Sequence, residues 1–309
     1  MRIVYMGSPE FAVPALDALL DGGHEVVLAV TQSDKPGGRG KRPQTPPVKR
    51  RAMELGIPYA QPEKLRGNDE FREELAKAGA DLFVVVAYGK ILPPDILAIP
   101  RLGCVNIHAS LLPKYRGAAP IQRAVMAGEP VTGVSLMYMT EEVDAGNVIA
   151  TRRVKTGKKT SKELFDELAV LGAKMLAEEL HKVEKGVKGK PQNHAEASYA
   201  PMIKKEEACL DFSMKPLALE RIIRGMNDNP GAYAHFGDGK LLKIWEAEAL
   251  PGECDAEFGH IENADDDGIL IAAGGGLLLV KSVQAEGKKP LNAATFVRGS
   301  KMRLGDYFY

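Results

Sequence analysis

Cysteine is scarce. The chain has three in 309 residues, Cys104, Cys209 and Cys254, far apart and in no C-x-x-C pair. That spacing argues against a disulfide framework and a zinc site, and isolated thiols fit a reducing compartment. No apolar run approaches the roughly 20 residues that a membrane span needs. The opening MRIVYMGSPEFAV has one early Arg and a short apolar run broken by Gly and Pro, without the basic, apolar and small-residue regions of a signal peptide. The expectation is a cytoplasmic protein with no membrane partner. An excess of either charge is also missing: 41 basic residues balance 41 acidic ones, so a polyanionic partner must be met by local clusters. The first glycine turn, GSPEFA, lacks the GxGxxG spacing that lets a pyrophosphate approach the backbone, which disfavours a nicotinamide-dependent dehydrogenase.

What is present is ordinary for a globular protein: 45% hydrophobic and 27% charged residues. The length suggests two domains, on a prior of about 150 residues each. RIVYM (2–6), a Gly-Ser-Pro turn, the amphipathic FAVPALDALLDGG and EVVLAVT read as strand, turn, helix and strand of a parallel α/β unit. DLFVVVAYG (81–89) is an uninterrupted apolar run, as in a central strand covered on both faces. LGCVNIH (102–108) reads as a further strand, and GVSLMYMT (133–140) pairs with NVIATRRVK (147–155) across EEVDAG. Leu164, Leu168, Leu171, Met175, Leu176 and Leu180, at spacings of three and four, predict a long amphipathic helix introduced by Thr160 or Ser161. From about 187 to 205 no period is sustained and the stretch reads as a linker. Beyond it, one helical piece (PLALERIIRGM) and short apolar runs between Gly-rich and acidic turns predict a small barrel or sandwich, and an OB-like barrel fits. The predicted division is 1–189, a linker at 190–206, and 207–309.

Ligands of a parallel sheet bind beyond the carboxyl ends of its strands. Asn106 and His108 lie at such an end, two residues apart, so both side chains face one side. Asn donates to an oxygen that is becoming negative, and His titrates near neutral pH. Asp144, in the acidic EEVDAGN loop, supplies a carboxylate to orient the histidine. Taken singly these signals also fit a core histidine and a turn aspartate.

The string NIH followed by SLLPKYRGAAPIQRA and then TGVSLMYMTEEVDAGNVI resembles the folate-dependent formyltransferases, and within them the methionyl-tRNA formyltransferases. The similarity extends through MGSPEFAVPAL, VTQSDKPGGRGK, VVVAYGKILP, YAPMIKKEEACLDF and AEGKKPLNAATF. The resemblance implies a Rossmann-like parallel-sheet formyltransferase domain followed by the smaller barrel. It implies 10-formyltetrahydrofolate as cosubstrate, initiator methionyl-tRNA as acceptor, no metal, and a monomer. By resemblance, Asn106 binds the formyl oxygen, His108 manages proton transfer and Asp144 positions the histidine or an ordered water. Ser110, Leu111, Leu112 and Pro113 line the folate pocket, with Tyr88, Gly89, Ile91 and Leu92 as the pterin wall. From the residues alone, Leu111, Leu112, Ile91 and Leu92 read rather as plain core.

SDKPGGRGKRPQTPPVKRR (33–51) holds seven cations against a single acid, Asp34, and its Gly and Pro content predicts a mobile loop suited to phosphates. The resemblance matches this loop to the segment that enters the acceptor end of the tRNA, which makes Arg39, Lys41 and Arg42 the tRNA contacts. RRVKTGKK, KVEKGVKGK and the pair Lys288 and Lys289 are further basic candidates. NDNPGAY (227–233) departs from the resemblance, with Asp228 and Asn229 where Pro and Trp are usual. Two rival readings stand: a formyltransferase acting on an amino-sugar nucleotide, and a non-catalytic RNA-binding protein on this scaffold. The basic loop and GKKPLNAATF favour tRNA over the sugar, and the intact Asn106, His108 and Asp144 argue against the non-catalytic reading.

Overall fold

The computed structural model describes residues 1–36, 43–237, 239–252, 254–300, 302 and 306–309. The chain divides into two compact units. The first comprises Met1–Pro120, Val131–Lys155 and Phe165–Pro201; the second comprises Ile121–Pro130, Thr156–Leu164 and Met202–Tyr309.

The first unit is built on β1 (Arg2–Gly7), α1 (Val13–Asp21), β2 (Glu25–Val30), α2 (Pro47–Glu54), β3 (Tyr59–Ala60), α3 (Asp69–Lys77), β4 (Leu82–Val86), α4 (Pro94–Leu97) and β5 (Cys104–His108). α5 (Pro120–Ala127), which falls in the second unit from Ile121 on, precedes β6 (Val131–Tyr138), β7 (Val148–Lys155) and α6 (Ser161–Glu184) in the chain. The strands form one sheet in the order β3-β2-β1-β4-β5-β6-β7, parallel through β5 and antiparallel beyond it. β1 and β4 are the central pair, and Ile3 to Met6 and Leu82 to Val86 are buried, as their unbroken apolar runs require. Chain order reverses between β1 and β4, so a crevice opens at the carboxyl ends of these strands.

Local chemistry sets the helix ends. α1 buries Ala15, Leu16 and Leu19 and stops at Gly22, followed by Gly23 at φ 73°. Thr160 caps α6: its hydroxyl accepts from Glu163 N–H at 3.2 Å, and Glu163 Oε2 accepts from Thr160 N–H at 2.7 Å, a reciprocal capping box. At Gly172 this helix approaches β5 so closely that a Cβ there would stand 2.9 Å from Ile107 Cγ2, fixing the strand that carries Asn106 and His108.

The basic segment departs from expectation. Residues 47–51 are not loop but the start of α2, because Pro47 opens the helix with its φ preset and Val48 and Ala52 bury one face at spacing four. Lys49 bonds both Asp34 oxygens at 2.9 Å and Gln61 at 2.7 Å, and Arg51 bonds Asp17 at 2.8 Å. These cations hold the fold together.

The second unit contains α7 (Pro216–Gly225), β8 (Tyr233–Phe236), β9 (Lys240–Leu250), β10 (Ile261–Asp265), β11 (Gly268–Ala273), β12 (Gly276–Ala285), β13 (Leu291–Asn292) and α8 (Ala293–Gly299). Its antiparallel sheet runs β10-β11-β12-β9-β8, with β13 on β12. The chain end closes it: His235 and Tyr309 exchange both backbone bonds, while Ile261 N–H donates to Asp306 and Phe308 N–H to Gly259 at 2.8 Å each. Both edge strands thus meet residues 306–309, and closure removes the exposed edges. Leu219, Ile223, Ile244, Ile271, Val280 and Phe308 are among its core residues.

Arg123 also ties this unit together, donating to Glu207 at 2.6 and 3.0 Å. That pair and the Lys204 N–H pull the Glu207 carboxyl from its ordinary 4.5 down to about 2. The folded value is the lower one, so this stabilisation is fully present above the unfolded value and is lost as pH falls through the folded one. In thermal melts, Glu207→Gln should lie below the parent by a constant margin at neutral pH. That margin should shrink between pH 4.5 and about 2; a margin independent of pH would exclude the ionised pair as its source.

Candidate active site

β5 pairs with β4 on one side and β6 on the other, with Asn106 opposite Met137 and His108 opposite Ser135. Asn106 and His108 project to one side and both reach Asp144, in the loop between β6 and β7. Asn106 Nδ2 lies 3.4 Å from Asp144 Oδ1, and His108 Nδ1 lies 3.4 Å from Asp144 Oδ2. Gly117 N–H donates to the same Oδ2 at 2.8 Å, anchoring the carboxylate. The contact between Asp144 and His108 is direct.

The other face of the ring is also fixed. His108 Nε2 stands 2.8 Å from the Tyr115 carbonyl oxygen. A carbonyl only accepts, so Nε2 carries a hydrogen; the carboxylate facing Nδ1 is likewise an acceptor, and any hydrogen on Nδ1 is directed at Asp144. His108 is 6% exposed and Asp144 half-buried, so little water competes for the pair. Tyr115 and Asp144 both have left-handed backbones, at φ 60° and 53°. That conformation costs an L residue about 1–2 kcal/mol, which neighbouring bonds must offset.

The SLLPKYRG turn is locked from within. Ser110 is fully buried and donates to the Lys114 carbonyl at 2.6 Å. Ser135 Oγ on β6 donates to the Ser110 carbonyl at 2.7 Å and accepts from Leu112 N–H at 3.1 Å. Arg116, 1% exposed, directs Nε and Nη2 to Gln192 Oε1 at 3.2 and 2.8 Å and Nη1 to Glu142 at 3.2 Å. Gln192 then donates through Nε2 to the carbonyls of Asp144 and Gly146 at 2.8 and 2.7 Å.

The expected pocket residues separate into two groups. Leu111, Leu112 and Pro113 are half-buried, Gly89 is open, and Ile91 is 71% exposed. Tyr88 and Leu92 belong to the hydrophobic core with Val4, Met6 and Phe83. Burial pushes the Tyr88 hydroxyl up to about 12. Gln32 donates to the Tyr88 carbonyl at 2.9 Å and occupies the space a Cβ on Gly89 would need, 2.4 Å from its Nε2. Lys35 and Gln44 pair through both backbone bonds. Arg39, Lys41 and Arg42 lie outside the described residues.

Sequence reasoning passed over Gln32, Arg116, Ser135, Gln192 and Ser198. Arg116 was visible inside SLLPKYRG; Gln192 and Ser198 sit in the aperiodic stretch, where no pattern marks them. Among the described residues, no group of three or more His, Cys, Asp or Glu is placed to hold a metal, and no helix is long and apolar enough to cross a membrane.

Residues 1–180 match the family described as formyl transferase, and residues 202–301 match the formyl transferase C-terminal domain. The chain is 44% identical over 310 residues to a methionyl-tRNA formyltransferase of Agathobacter rectalis, covering 100% of this chain and 99% of that protein. It is also 44% identical to one from a Sulfurihydrogenibium species, covering 100% of both. Among solved structures, an N-formyltransferase from Helicobacter canadensis, in complex with folinic acid and dTDP-3-aminofucose, has a TM-score of 0.68 at 15% identity, covering 92% of this chain and 98% of that one. HypX from Aquifex aeolicus in complex with tetrahydrofolic acid has a TM-score of 0.61 at 18% identity; all of this chain is covered but only 51% of HypX, so the chain spans about half of that protein. At these identities both structures show the fold alone.

Proposed function

This chain belongs to the methionyl-tRNA formyltransferase family, and on that premise we propose that it transfers the formyl group of 10-formyltetrahydrofolate to the α-amino group of methionine on initiator methionyl-tRNA. The product is N-formylmethionyl-tRNA for translation initiation. The observation that carries the reading is the convergence of Asn106 and His108 on Asp144 at the carboxyl end of β5.

The chemistry is direct acyl transfer. An aminoacyl ester lowers the pKa of its own α-amine, so the neutral nucleophile is accessible near pH 7. The amine lone pair forms a bond to the formyl carbon and the carbonyl electrons move onto oxygen. The Asn106 amide and the protonated His108 ring stabilise that oxyanion. On collapse the bond from carbon to N10 breaks; the amine loses one proton and N10 gains one. His108 Nδ1 is the carrier, with Asp144 Oδ2 facing it at 3.4 Å.

The folate donor fits the residues at the strand ends. Exposed Ile91, open Gly89 and half-buried Leu111, Leu112 and Pro113 offer an apolar wall to a heterocycle. Tyr88 and Leu92 support that wall from the core, and Ser110 holds the turn through its own hydrogen bond. Arg39, Lys41 and Arg42, which lie between Lys35 and Gln44 in the sequence, meet the tRNA phosphates, so binding weakens as salt rises. In this reading the enzyme is a cytoplasmic monomer.

The test is transfer of labelled formyl from 10-formyltetrahydrofolate, with charged initiator tRNA and an amino-sugar nucleotide as parallel acceptors. The expected product is labelled formylmethionyl-tRNA. Label on the sugar alone would overturn the acceptor assignment, and label on neither would overturn the enzymatic one.

A further inference from the structure

Residues 190–200 have the composition of a tether, yet their bonds go elsewhere. Lys190 pairs in both directions with Val148, at 2.8 and 2.7 Å. Gln192 reaches the Asp144 and Gly146 carbonyls. Ser198 O accepts from Arg116 N–H at 2.8 Å, Ala200 N–H donates to the Arg116 carbonyl at 2.7 Å, and Ala119 N–H donates to Ala200 O at 3.0 Å. These partners all lie in 116–119 or 144–148, the loops on either side of His108.

Two further details give the arrangement its meaning. Tyr115, which accepts from His108 Nε2, donates its own N–H to Ser198 Oγ at 3.0 Å. Asp144, which faces His108 Nδ1, has its backbone carbonyl held by Gln192 Nε2 at 2.8 Å. Each is left-handed, at φ 60° and 53°, and each is held there by a side chain from the same short segment. The Gln192 amide has one orientation, since two Arg116 nitrogens donate to Oε1 and leave Nε2 for the carbonyls. Arg116 is itself buried, so this anchor is shielded from water.

We infer that residues 190–200 are a positioning strap for the His108–Asp144 pair, with Gln192 setting Asp144 and Ser198 setting Tyr115. Neither side chain touches the reacting atoms. Together they fix the ring from both nitrogens, and with it the proton on Nε2. Release of either grip lets a left-handed residue relax, moves its oxygen away from the imidazole, and frees the ring to exchange tautomers.

The kinetic part of the test rests on the formyl-transfer reading; the spectroscopic part does not. Three single variants of the full chain are compared with the parent: Ser198→Ala, Ser198→Thr and Gln192→Glu. Gln192→Glu keeps an oxygen for Arg116 but replaces the donor to Asp144 and Gly146 by an acceptor, so it probes position without removing the anchor. Steady-state kcat and KM, melting temperature and the ring 15N shifts of His108 in the free protein are recorded. For Ser198→Ala and Gln192→Glu the expected result is a kcat about 10- to 100-fold lower with both KM values unchanged. The His108 signature should pass from hydrogen on Nε2 to an average of tautomers, and Ser198→Thr should restore both readouts. Parental kcat and ring shifts in these two variants would reduce the segment to a tether and overturn the inference. A fall in kcat with unchanged ring shifts, raised KM and a lower melting temperature would make the role merely structural and overturn it equally. If the parent itself transfers no formyl group, the proposed function fails and the ring shifts alone decide the strap.

Discussion

His108→Ala lowers kcat for formyl transfer by about 10²- to 10⁴-fold, the range for a lost acid/base group, while binding of charged tRNA is kept. The expectation follows from how the ring is held. Its Nε2 hydrogen is committed to the Tyr115 carbonyl at 2.8 Å, so only Nδ1, 3.4 Å from Asp144, is available to move a proton. Removing the ring abolishes that route and leaves Asp144 without its partner. Because the two act as a unit, His108→Ala combined with Asp144→Asn should lose little beyond His108→Ala alone. Single-turnover rates at saturating donor and acceptor, with tRNA binding measured separately, check both statements. His108→Gln serves where the alanine cavity impairs folding. Near-parental turnover in a folded variant would remove His108 from the chemistry.

The parts of the molecule legible in the sequence are those whose signal is local. β1 and β4 are buried on both faces and read as unbroken apolar runs; β6 and β7 read as a pair across an acidic turn; α6 repeats its leucines at three and four and announces itself with Thr160 and Glu163. The spacing of Asn106 and His108 placed both on one side of a strand, and both meet Asp144. The strap was invisible because its bonds to the loops beside His108 join residues 42 to 84 positions apart in the chain, brought together only by tertiary folding, with Gln192 and Ser198 surrounded by Asn, His, Ala and Glu of no period. α2 was hidden for another reason. Its charge suggested a solvated loop, whereas Pro47 and the two small apolar residues Val48 and Ala52 suffice to seat it once Asp17, Asp34 and Gln61 pair with its cations. Tyr88 illustrates a third limit: nothing in the sequence tells that the ring of an aromatic beside an open glycine is buried in the core.

Asn106→Ala should cost about 10²- to 10³-fold in kcat, or ~2.7–4 kcal/mol of transition-state stabilisation, with KM for both substrates unchanged. An Asn amide has two hydrogens. One is directed to Asp144 Oδ1 at 3.4 Å, which fixes the plane of the amide, and in the proposed reaction the other donates to the formyl oxygen. The formyl carbonyl of the bound donor is nearly neutral and gains little from that bond, whereas the oxyanion of the tetrahedral state gains much. The interaction is therefore realised in the transition state and appears in kcat. Asn106→Asp sharpens the point. It keeps the volume of the side chain but exchanges donors for acceptors and sets a second carboxyl beside Asp144, where two like charges so close oblige one to take up a proton. Its loss should equal or exceed that of the alanine variant despite the smaller change in shape. Two outcomes would remove Asn106 from the oxyanion site: an aspartate variant that retains most of the activity, or an alanine variant whose defect lies wholly in KM.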